Sequence, residues 1–82
     1  MPLSKAWEPL ERRTIGKVPD RYGIYELGDA DGTVLSVEAG PLRDELKEVL
    51  AYRDAPKVRW QVAQNRDHAE KLLAEHRERL QG

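Results

Sequence analysis

Gly23-Ile24-Tyr25 and, after a polar turn, Thr33-Val34-Leu35-Ser36-Val37-Glu38 decide how this chain folds. Both runs are short and rich in the β-branched and aromatic residues that pack well on a pleated surface. Between them lies Gly28-Asp29-Ala30-Asp31-Gly32, whose closing Asp-Gly supplies the left-handed backbone that a hairpin needs. Strands are therefore predicted over Tyr22–Leu27 and Thr33–Glu38, joined as a hairpin.

Reading outward, Leu10–Val18 suits one short helix, with Leu10, Ile15 and Val18 on one side and Pro19 ending it. After the hairpin, Gly40-Pro41 marks a helix start, with proline at the first helical position. Leu42, Leu46, Val49 and Leu50 recur at helical spacing, and Asp44, Glu45, Lys47 and Glu48 form the charged face. Asp54-Ala55-Pro56 breaks that helix. Lys57–Ala63 then alternates, Val58, Trp60 and Val62 on one side and Lys57, Arg59 and Gln61 on the other, as a half-buried strand does. Asn65 is a good N-cap for a last helix, Asp67 favours its positive end, and Ala69, Leu72, Leu73, His76 and Leu80 make its inward stripe. The predicted order is α-β-β-α-β-α. Layer packing makes this an α+β fold (an α/β sandwich) with a small three-stranded mixed or antiparallel sheet flanked by helices. Residues 1–9 read as an N-terminal arm that Trp7 packs onto the core, and 10–82 as a single domain.

Eighty-two residues make one domain, and with no cysteine the core must hold without disulfides or thiolate metal sites. No apolar run approaches the roughly 20 residues that span a bilayer, and no signal-peptide core is present. The expectation is a soluble chain of the cytoplasm with no membrane contact. The net charge of −1 conceals an uneven distribution. Residues 1–23 carry five Lys/Arg against three Asp/Glu, residues 24–56 three against eight, and residues 57–82 six against four. The acidic middle would repel phosphate rather than release counterions from it.

With Gly23-Ile24-Tyr25 opening the hairpin, residues 19–76 resemble the GIY-YIG nuclease domain. Pro19 before the triplet, the Asp-Gly turn, Leu42-Arg43 at the helix start and Ala69-Glu70-Lys71-Leu72-Leu73 follow that pattern in order and spacing. The resemblance implies the fold, and a water-driven phosphodiester cleavage with one divalent metal. In that family a Glu on the last helix holds the metal, a Tyr of the second triplet serves the water, and an Arg on the first long helix clamps phosphate.

Carried over by position, little of that set survives. Tyr25 is present and Glu70 falls where the metal-binding Glu belongs. The second Tyr is Ser36, the second triplet's Gly is Glu38, the Arg position is Glu45, and one turn later stands Val49. Arg43 lies two positions before Glu45, about 200° around the helix, and cannot replace the clamp without a register shift. Losing an oriented base typically costs about 10²–10⁴-fold. A carboxylate in place of the clamp turns charge stabilisation into repulsion. No catalytic residue is therefore expected, and no cofactor. Mg²⁺, with Glu70 as its ligand, enters only if a divergent nuclease site using Tyr25, Arg43 and Glu70 remains.

Glu38, Glu45 and Glu70 together would suit Mg²⁺ or Ca²⁺, but Glu70 reads better as a solvated carboxylate in a helical i,i+4 or i,i+3 set. His68 and His76 are eight apart, not the i,i+4 spacing at which two histidines share a metal, and His76 reads as a buried, hydrogen-bonded residue at the core edge. Tyr25 packs in the sheet. The predicted function is a non-catalytic interaction module, its acidic face docking a basic protein partner or a second copy. The alternative is nucleic-acid binding without cleavage through Arg12, Arg13, Lys17, Arg21 and Arg43. Lys57, Arg59 and Arg66 read as a scattered solvated face. No aromatics are interleaved among these cations for base stacking.

Overall fold

The computed structural model describes residues 6–52 and 55–81, with side chains as far as 78. The elements run β1 (Glu8–Pro9), α1 (Arg12–Lys17), β2 (Tyr22–Gly28), β3 (Val34–Pro41), α2 (Leu42–Tyr52), β4 (Lys57–Val62) and α3 (Arg66–Gln81). They build a small α+β fold around a four-stranded antiparallel sheet of order β1-β4-β2-β3. β2 and β3 are the predicted hairpin, with Gly23 opposite Gly40, Tyr25 opposite Glu38 and Leu27 opposite Ser36. Its turn closes as the Asp-Gly signal requires. The Asp29 carboxylate accepts from the N–H groups of Asp31 and Thr33, each at 2.9 Å, and Gly32 takes φ +84°.

Three sequence expectations need correction. The sheet has a fourth strand, because Glu8 and Pro9 pair with Val58 and Lys57 of β4. The arm predicted over residues 1–9 thus supplies a strand, while its first five residues lie outside the described region. A two-residue strand is too short to show an alternating pattern, and Pro9 is tolerated there because β1 is an edge. The first helix covers Arg12–Lys17 rather than Leu10–Val18, since the Leu10 N–H donates to the Pro56 carbonyl at 3.0 Å. Pro41 ends β3 instead of opening a helix. α2 starts at Leu42, whose N–H donates to the Arg21 carbonyl at 2.8 Å.

β2 lies between β4 and β3 and is covered on both sides, so it is buried from Gly23 to Gly28. Tyr25, Leu27, Val58 and Trp60 form one face and pack with Ile15 and Val18 at α1 and with Leu42, Leu46 and Val49 of α2. Each fully buried aliphatic side chain there stabilises the fold by about 1.5–3 kcal/mol before entropy is counted. The opposite face carries Ile24, Glu26 and Val37, and Ala69 and His76 of α3 are buried with them. The predicted stripe of α3 faces inward as far as it is described, with Leu72 and Leu73 half-buried and Leu80 outside the described side chains.

Covering both faces also corrects the reading of β4. Arg59, assigned to a solvated side, is buried. Asn65 is the predicted cap, its side-chain oxygen accepting from the His68 N–H at 2.8 Å. Gly23 is a packing requirement, because a Cβ there would run into the Gln61 carbonyl of β4 and the Leu42 side chain. Trp7 packs against Gly28, and the Arg59 guanidinium carbon lies 4.0 Å from the centre of its ring.

Candidate functional site

The end of β3 and the first turns of α2 and α3 enclose a cleft of about 240 Å³, lined in part by Tyr22, Gly40, Glu45, Arg66 and Glu70. Glu45 leads into it from α2 because Leu42 and Leu46, on either side of it, are pulled into the core. Its side chain lies against Gly40, where a Cβ would come within 2.9 Å of the Glu45 Cγ. Beneath the carboxylate, the Tyr25 hydroxyl donates to Glu45 Oε1 at 3.3 Å. Burial holds the Tyr25 proton far above the ordinary phenol range, and the charges of Glu45, Glu38 and Glu48 and the bond to Glu45 act in the same direction. This phenol is a hydrogen-bond donor, not a base.

The remaining positions of the resemblance are spread around that cleft. Ser36 sits half-buried opposite Leu27, on the same face of β3 as Glu38. Glu38 is exposed and 3.2 Å from an Arg77 nitrogen that also donates to the Val37 carbonyl at 3.2 Å. Val49 is buried in the core. Glu70 is exposed, and Arg66 lies 3.9 Å from it at i,i+4. Among the described residues, no group of three His, Cys, Asp or Glu side chains is placed to hold a metal ion. Glu45 and Glu70 are the carboxylates that line the cleft, and a divalent metal there would have them as its protein ligands.

Arg43 lies elsewhere. Its Nε donates to the Val18 carbonyl at 3.1 Å, and it lines a groove between α1 and α2 together with Arg12 and Lys47. Arg43 and Glu70 therefore line separate cavities. The other basic candidates divide as well. Arg13 is exposed on α1, Lys17 is 3.4 Å from Glu8, and Arg21 donates to the Ala63 carbonyl at 3.4 Å.

One polar constellation escaped the sequence reading. Glu26, fully buried on β2, accepts from Arg59 Nε on β4, and its other oxygen is 2.5 Å from His76 Nε2 on α3. Glu26 and Arg59 face each other in the strand register, which is why opposite charges meet there. The available signal was a charge inserted in each strand between core residues, Glu26 between Tyr25 and Leu27 and Arg59 between Val58 and Trp60. His76 has the buried, hydrogen-bonded place expected of it. His68 instead accepts the Gln64 N–H at 2.9 Å beside the helix start.

One family model covers residues 1–79, almost the whole chain. The chain belongs to the family described as Domain of unknown function (DUF7508). No curated protein and no solved structure matched it. This DUF7508 domain holds a carboxylate-rich cleft at one end of the hairpin and a buried Glu-Arg-His group under α3. Its third feature is a cationic groove beside α1. Among its described residues no helix is long and apolar enough to cross a membrane.

Proposed function

We propose that this chain is a non-catalytic domain on a GIY-YIG-like scaffold, working in the cytoplasm as a small interaction module. The observation that carries this reading is the Tyr25–Glu45 hydrogen bond. On the resemblance, Glu45 stands in the position of a nuclease's phosphate-clamping guanidinium, and Glu38 and Glu48 add negative charge around the same phenol. A phosphodiester in that cleft would meet the Glu45 and Glu70 carboxylates, with Arg66 as the cation beside them. The Tyr25 phenol, held protonated by burial and by the carboxylates around it, is poorly suited to take a proton from water near neutral pH. The β2–β3 hairpin, with Gly23 and the buried Tyr25 on its first strand, is compatible with that scaffold.

The test is incubation of the purified chain with supercoiled plasmid and with single-stranded DNA and RNA, in Mg²⁺ and in Mn²⁺. The expected result is intact substrate in every case. Nicking that disappears in a folded Glu70→Ala variant would overturn the reading.

A further inference from the structure

The cationic groove extends the proposed module by giving it a docking surface. Arg12 of α1 and Arg43 and Lys47 of α2 rim a cavity of about 510 Å³ whose floor is Ile15, Gly16 and Leu50. Past Arg12 and Lys47 it continues into a second hollow floored by Leu10, Ala55 and Pro56, where Glu11 is the acidic side chain among the described lining residues. α2 sorts its charges: Glu45 and Glu48 act on Tyr25 in the sheet, while Arg43 and Lys47 turn to α1. Arg43 and Lys47 are four residues apart on one helix, an arrangement of like charges that works against the helix. Among the described residues, none of the three rim cations meets a carboxylate within ion-pair distance. The other described Lys and Arg ion pairs lie elsewhere, at Lys17, Arg59, Arg66 and Arg77.

We infer that this groove docks an acidic peptide segment of a partner protein, one whose carboxylates alternate with aliphatic or aromatic anchors. The rim supplies charge complementarity and the aliphatic floor takes the anchors. Nucleic acid suits the groove less well. Among the described residues lining it none is aromatic, so a base has no face to stack on, and Glu11 opposes a continuous phosphate track. The inference rests on the reading of the chain as an interaction module.

Gly16 provides a clean probe. A Cβ built there meets nothing within 4 Å, so Gly16→Leu fits the fold while intruding into the groove. The experiment pans random dodecamer peptides displayed on phage against the whole chain, and maps the enriched peptides by amide chemical shifts. The expected consensus interleaves Asp or Glu with Leu, Ile, Phe or Trp. Its shifts centre on Arg12, Gly16, Arg43, Lys47 and Leu50. Lys47→Glu and Gly16→Leu, both verified as folded, weaken binding by about tenfold or more. The inference is overturned if no peptide enriches, if enriched peptides lack carboxylates, or if binding maps elsewhere or survives both variants. It is equally overturned if a DNA duplex or an RNA oligomer shifts the same amides at lower concentration than the peptides. DNA cleavage by the wild type would refute the non-catalytic reading and leave the mapping untouched, so the two failures are distinguishable.

Discussion

Replacing Arg59 by Met tests the buried group under α3, and its cost can be worked from the structure. Glu26 is 0 % exposed, His76 4 % and Arg59 9 %, so the carboxylate depends on its protein partners instead of water. Removing one member of a buried ion pair typically costs about 3–5 kcal/mol, because the other is left under-compensated. The stacking of Arg59 on Trp7 adds about 1 kcal/mol. His76 still faces Glu26 in the variant, which moves the total toward the lower end, about 3 kcal/mol. A chain of this length has about 4–12 kcal/mol of stability altogether. At about 4–8 °C per kcal/mol, Arg59→Met should lower Tm by roughly 12–24 °C.

The comparison that isolates the charge is Glu26→Met/Arg59→Met/His76→Leu, which removes the three facing polar side chains together. It should be less destabilised than Arg59→Met alone, in the way that apolar replacement of a buried ionic group is often neutral or better. Urea unfolding followed by circular dichroism reads both differences. A loss below about 1 kcal/mol in the single variant would refute the reasoning, and so would a triple variant weaker than the single.

Three further outcomes are expected. Stability should fall above the ordinary tyrosine value of about 10, where the unfolded chain ionises and the folded Tyr25 does not, by up to about 1.4 kcal/mol per pH unit. Below that value both states hold the proton and nothing is lost; Tyr25→Phe should flatten the alkaline decline in denaturant titrations, and an unchanged slope counts against the assignment. Asn65→Ala should cost about 1 kcal/mol and speed exchange of the His68 amide, which its side chain now accepts from. Gly23→Ala should cost at least about 2 kcal/mol, since a central-strand carbonyl cannot yield to the new methyl, and a thermal scan matching wild type would show otherwise.

Most elements were legible from local chemistry. The Asp29–Gly32 turn, the Asn65 cap and the apolar spacing of Leu42, Leu46 and Val49 each act within a few residues, and each appears where expected. Misreadings fell where a distant partner decides. Pro41 looks like a helix start in isolation but ends a strand, because β2 pairs with β3 as far as Tyr22–Pro41. Glu8 and Pro9 form a strand only because β4 offers an edge to them. In the candidate site, Glu45 and Glu70 do share a cleft, while Arg43 turns to α1.

By itself the sequence determined the hairpin, the two longer helices, the face each presents and the acidic middle, since periodicity, turn residues and charge are local properties. Only the tertiary structure decided that both sheet faces are covered. That coverage buries Arg59, and it joins Glu26 to partners 33 and 50 residues away. It also separates the cationic groove at α1 from the carboxylates around Tyr25. Alternation along a strand says which residues share a face. It does not say what another strand or helix will lay across that face, because that depends on the register and packing of segments far apart in the chain.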